Sequence, residues 1–85
     1  MLKSNKVFIG GLHLSTTEAD LRECFAKYGT VAACEVITDD FGQPLGYGFV
    51  EMSSEAEASR AIKALNGFRF EGRVLRVEAG RSHGH

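Results

Sequence analysis

The chain has 85 residues, 44% hydrophobic and 25% charged, with a formal net charge of −1, which fits one small globular domain and leaves no room for a second. Without a positive net charge it lacks the long-range pull on a polyanion that basic nucleic-acid binders use, so any such binding must rest mostly on other forces. Apolar runs are a few residues long, far short of the roughly 20 that span a bilayer, and residues 1–5 form a short extension with no secretory core. The expectation is a soluble intracellular protein, cytoplasmic or nuclear, with no membrane partner.

Residues 6–10 alternate polar and apolar side chains at period two and then meet Gly10-Gly11, which predicts a strand ending in a turn. Thr17 with Asp20 forms a capping box, Leu21, Cys24, Phe25 and Tyr28 fall on one helical face, and Gly29 marks the stop. Residues 31–38 are rich in β-formers, 39–44 carry turn residues, and 46–52 are β-rich again, so the pair predicts a hairpin. Ser54 with Glu57 repeats the capping box, Ala58, Ala61, Ile62 and Leu65 repeat the stripe, and Asn66-Gly67 ends it. Residues 68–72 read as a connection to a last strand over 74–78, and 81–85 as a polar tail beyond a domain spanning 6–80. Cys24 and Cys34, one in a helix and one in a strand, read as two buried reduced thiols rather than a disulfide.

The order β-α-β-β-α-β is that of the α+β ferredoxin-like sandwich, a four-stranded antiparallel sheet with both helices on one face and the other face open. Charged residues label the open face of every strand, because an unpaired charge in the core costs several kcal/mol. Lys6 places Phe8 and Gly10 on the open side and sends Val7 and Ile9 inward. Glu51 does the same for Leu45, Tyr47 and Phe49, with Gly46 and Gly48 expected to admit a close helix. Glu35 labels Ala33 and Ile37 as open, and Arg76 with Glu78 labels the last strand. Phe8, Tyr47 and Phe49 therefore share a wet face, a patch that calls for a ligand. Flat rings of this kind suit nucleobases, each stack contributing about 1–3 kcal/mol.

The segments Val7-Phe8-Ile9-Gly10-Gly11-Leu12 and Leu45-Gly46-Tyr47-Gly48-Phe49-Val50-Glu51-Met52 resemble the two ribonucleoprotein motifs of the RNA recognition motif family, over roughly residues 6–80. The resemblance implies the strand order 4-1-3-2, single-stranded RNA as partner with DNA as the alternative, and base stacking on Phe8 and Tyr47 while Phe49 packs against sugars. Where the octapeptide usually opens with Lys or Arg, this chain has Leu45, so one phosphate contact is lost. Lys6, Arg76 and Arg81 remain as candidates for phosphate or base-edge contacts, with solvated surface charge as the bland alternative for each. Ile37 and Glu78 complete the expected RNA-contacting set. Glu35, Glu51 and Glu78, with Asp39 and Asp40 in the hairpin loop, repel phosphate but can accept base amino protons. Met52 points into the core as a flexible filler.

Three other readings compete. A protein-binding variant of this fold would lack the sheet aromatics and carry an Arg-X-Phe motif before the final strand, where this chain has Phe68-Arg69-Phe70. An acylphosphatase-like enzyme would need an anion-cradling loop with Arg and Asn. No loop offers that pair, and His13 stands without a nucleophile or carboxylate beside it. His83 and His85 alone make a weak metal site, so neither cofactor nor small-molecule substrate is expected. A face-to-face homodimer would bury the rings but bring like-charged glutamates together, which makes a monomer the expectation.

Overall fold

The elements β1 (Lys6–Gly10), α1 (Glu18–Ala26), β2 (Val31–Thr38), β3 (Pro44–Met52), α2 (Glu55–Leu65), β4 (Arg69–Phe70), β5 (Arg73–Val74) and β6 (Arg76–Ala79) follow one another in a computed structural model that describes residues 5–80. The main sheet runs β2-β3-β1-β6 with every pair antiparallel, so the expected order of four strands is borne out. Beneath it, Val7 and Ile9 of β1, Val50 and Met52 of β3 and Val77 of β6 meet Leu21 and Phe25 of α1 and Ala58, Ala61 and Leu65 of α2 in one buried cluster. The period of two on the strands and the stripes on the helices thus deliver their apolar sides to the same core.

The capping box of α1 forms as expected: Asp20 N donates to Thr17 Oγ1 and Thr17 N to the Asp20 carboxylate, each at 3.1 Å. That of α2 is only half made. Glu57 N donates to Ser54 Oγ at 3.2 Å, but the Glu57 carboxylate turns to Ser53 Oγ at 2.6 Å and Thr30 N at 3.0 Å, tying the start of α2 to the α1–β2 connection. The hydroxyl of Ser53, followed by backbone donors, favours the ionised form and holds the Glu57 pKa below the usual carboxylate range. A depressed carboxylate stabilises the fold above its unfolded pKa and loses that effect as pH falls through the folded one. The melting temperature of Glu57→Gln is therefore expected to lie below that of the parent near neutral pH, with the gap closing as pH falls through and below the usual carboxylate range.

Three further expectations need correction. The segment 68–78 is a connection plus a strand in sequence terms, but it folds as a small β4–β5 hairpin followed by β6. Glu71 (φ 52°) and Gly72 (φ 85°) form its two-residue turn, the type I′ geometry that matches strand twist. The hydroxyl of buried Thr16 donates to Glu71 at 2.5 Å and holds that turn against the loop before α1. Gly48 does not admit a helix: a Cβ there would strike the Glu35 carbonyl of neighbouring β2. Gly46, at φ 88°, shapes the start of β3, where its carbonyl accepts Leu12 N at 2.8 Å. Finally, Cys24 and Cys34 are free thiols as expected but only half-buried, and partial desolvation pushes both pKa values up, away from the reactive thiolate.

Candidate nucleic-acid interface

Strand register lays the open face out as rows. Phe8 of β1 stands opposite Phe49 of β3, which stands opposite Glu35 of β2, while Glu78 of β6 faces Phe8 from the other side. One row therefore reads Glu78, Phe8, Phe49, Glu35 across all four strands. The next holds Arg76, Gly10 and Tyr47, and the one on the other side Lys6, Glu51 and Ala33. Gly10, lacking a side chain, leaves room beside Phe8, whose ring edge passes 3.4 Å from where a Cβ would sit.

The three rings form one cluster. Phe8 and Tyr47 lie with centroids 5.7 Å apart at 41°, and Phe8 and Phe49 5.5 Å apart at 63°. Such tilted and edge-on pairs are the favoured aromatic geometries, worth about 0.5–1.5 kcal/mol each. This mutual cover makes all three rings half-buried rather than fully exposed. The geometry does not set Phe49 apart from the other two, since both Tyr47 and Phe49 flank Phe8 at similar distance. Lys6 Nζ sits 5.8 Å from the Phe49 centroid, within cation–π range.

Of the other expected contact residues, Lys6, Arg76 and Glu78 are exposed on this face and Ile37 is half-buried on β2, beside the register shift between Val36 and Thr38. Arg81 lies outside the described residues. Leu45, 46% exposed, lies on the open face as its parity predicts, while Leu14 and Phe41, 60% and 87% exposed, are surface features that sequence reasoning does not reach. Parity alone placed Leu45 on the open face, but Leu14 and Phe41 lie in loops where no periodicity assigns a side. Phe41 rides on a tightly bonded turn, because Asp39 Oδ1 accepts both Phe41 N (2.8 Å) and Gln43 N (2.9 Å). The Asp39 carboxylate is thus engaged with its own loop. His13 is not isolated either: its Nδ1 accepts Ser15 N at 3.1 Å and lies 2.8 Å from Ser15 Oγ, a local turn contact on an exposed loop. Among the described residues no group of three or more His, Cys, Asp or Glu side chains is placed to hold a metal ion, and no helix is long and apolar enough to cross a membrane.

A family model of the RNA recognition motif matches residues 7–76, covering both motif strands and both helices. The chain belongs to the RNA recognition motif family. Within it, RbpA of Nostoc sp., named as an RNA-binding protein, is 45% identical over 76 residues, covering 88% of this chain and 74% of its own. Some curated relatives are much longer, this chain spanning 25% of a mitochondrial glycine-rich RNA-binding protein of Arabidopsis thaliana. Among solved RNA recognition motifs, the RNA-binding protein PG1 superposes with a TM-score of 0.90 at 37% identity, covering 96% of this chain and all of its own. The Sxl-lethal protein in complex with RNA superposes at 0.89 with 30% identity, covering 95% of this chain and 49% of the solved one.

Proposed function

We propose that this RNA recognition motif binds single-stranded RNA as a monomer, with bases laid on Phe8, Tyr47 and Phe49 and the backbone steered by Lys6 and Arg76. The observation that carries the reading is the row register, which gathers three half-open rings from the two central strands into one cluster. Aromatic faces that remain accessible on a sheet are suited to unpaired bases, which duplexes withhold. The membership just described supports RNA as the ligand, as do the names of the relatives. No covalent chemistry is assigned to the chain, and the half-buried, unactivated thiols fit a binding role in a reducing compartment. An intracellular setting is part of the proposal. It leaves the compartment open, since relatives include proteins named for mitochondria and chloroplasts.

Two or three stacks of about 1–3 kcal/mol each, less the cost of ordering the strand, give affinity nearer micromolar than nanomolar. Electrostatics adds little: Leu45 stands where the motif usually has a cation, and Glu35, Glu51 and Glu78 surround the rings. With two or three phosphate contacts, titration of a short single-stranded RNA at several salt concentrations is expected to give a log–log slope of about −1.4 to −2. Failure to bind such RNA contradicts the proposal, and a slope steeper than about −4 contradicts the stacking-dominated account of it.

A further inference from the structure

The row through the rings ends on both sides in a carboxylate, and one end is better built than the other. An open recess of about 490 Å³ runs around the β2 edge of the sheet; Lys6, Ala33, Glu35, Phe49 and Glu51 line it from the open face, and Cys34 with Glu18 of α1 from the helix side. Glu51 has Lys6 as its register partner, so its charge has a cation across the strand. Glu35 has the Phe49 ring instead, with Ala33 and Ile37 as its open-face neighbours along β2. It is exposed, and its carboxylate has no hydrogen-bond or ion-pair partner among the described residues. Ala33, with only a methyl group, leaves the space next to it open.

A carboxylate is an acceptor on both oxygens and donates nothing. Directly opposed side chains on neighbouring antiparallel strands have Cβ atoms about 4.5–5.5 Å apart, so Glu35 stands at the rim of any base seated on Phe49. Guanine offers two adjacent donors, N1–H and the N2 amino group, which match the two carboxylate oxygens. Adenine and cytosine offer one amino group next to a ring acceptor. Uracil offers a single N–H between two carbonyl oxygens that face the carboxylate unfavourably. From this geometry we infer that Glu35 is a specificity-determining residue that reads a guanine seated in the recess beside Phe49 and disfavours uracil there. The inference rests on the stacking role proposed for the rings and adds to it the class of base the site takes. Because the same carboxylate repels phosphate, it turns the base edge, rather than the backbone, toward β2.

The test compares a short fluorescent oligouridine with the same strand carrying one guanosine, or one inosine, which lacks the N2 amino group. The parent protein is expected to bind the guanosine strand about tenfold more tightly than oligouridine, with inosine losing much of that gain. Glu35→Gln, an exposed substitution outside the core, replaces one acceptor oxygen with a donor, and is expected to bring the guanosine and uridine strands within about twofold. Its affinity for oligouridine should stay level or rise as the negative charge is removed. Equal binding of both strands by the parent, or an undiminished guanosine preference in Glu35→Gln, overturns the inference while leaving the ring platform standing. Absence of binding to every strand, or parent-like binding by a Phe8→Ala/Phe49→Ala variant, overturns the platform and this inference with it.

Discussion

Replacing Phe8, Tyr47 and Phe49 together with alanine is expected to abolish measurable binding of short single-stranded RNA while the domain stays folded. Each base–ring stack contributes about 1–3 kcal/mol, so a single replacement should weaken binding by about 5- to 150-fold, and the triple variant removes nearly all of the favourable term. The loss falls on binding rather than folding because the rings lie on the side of the sheet away from the buried cluster. Their own contacts are two ring pairs worth about 0.5–1.5 kcal/mol each, so the variant should melt lower but remain cooperative at room temperature. Fluorescence anisotropy for affinity and circular dichroism for fold separate the two effects. Individually, Phe8→Ala should cost the most, since Phe8 is the ring that touches both others.

Phe25→Ala should produce the opposite pattern. Phe25 is the largest fully buried side chain, set on α1 against the underside of the sheet. Deleting a buried phenylalanine ring typically costs about 3–5 kcal/mol, the lost transfer energy plus the cavity left behind. A domain of this size has only about 5–15 kcal/mol in total, so much of its stability disappears with one residue. The denaturation midpoint in urea should fall sharply with little change in slope. RNA affinity of the fraction still folded should stay close to that of the parent, because no ring of the platform has moved. The pair of variants thus distinguishes the two faces of one sheet.

Much of this is legible in the amino-acid sequence. The charged residues Lys6, Glu35, Glu51, Arg76 and Glu78 cannot be buried unpaired, so each fixed the open side of its strand, and period two then carried Phe8, Tyr47 and Phe49 to that side. Helix α1 was legible through Thr17, Asp20 and its apolar stripe. What escaped depended on contacts distant in sequence. The hairpin of β4 and β5 turns at Glu71-Gly72, and Glu is not a residue that announces a left-handed turn position; Thr16, 55 residues away, helps to hold it. Glu57 has the right spacing for a capping box, yet Ser53 and Thr30 compete for its carboxylate. Gly48 serves the close approach of β2 and not of a helix, a distinction that a sequence does not carry. The degree to which the rings cover one another followed from register, which pairs Phe8 with Phe49 and Gly10 with Tyr47.

The site itself was therefore located by parity, but its chemistry came from the rows. Sequence alone counted the glutamates on the open face as a general electrostatic burden. Register divides them: Glu51 faces Lys6, Glu78 faces Phe8 and Glu35 faces Phe49. The absence of a cation at position 45 leaves Leu45 and Leu14 as apolar surface near the Tyr47 end of the platform, where the Leu14 side chain comes within 3.9 Å of a Cβ built on Gly46. Binding dominated by stacking and weakly dependent on salt follows from that arrangement.

Amide-shift titration of the ¹⁵N-labelled protein with a short single-stranded RNA tests the central claim most directly. Shifts should concentrate on the open face of the main sheet, centred on Phe8, Tyr47 and Phe49 and extending to their row neighbours Glu35 and Glu78, and should be absent for the triple alanine variant at the same RNA concentrations. Shifts concentrated on α1 and α2, or parent-like binding by the triple variant, would contradict the assignment of the open sheet face as the RNA-binding surface.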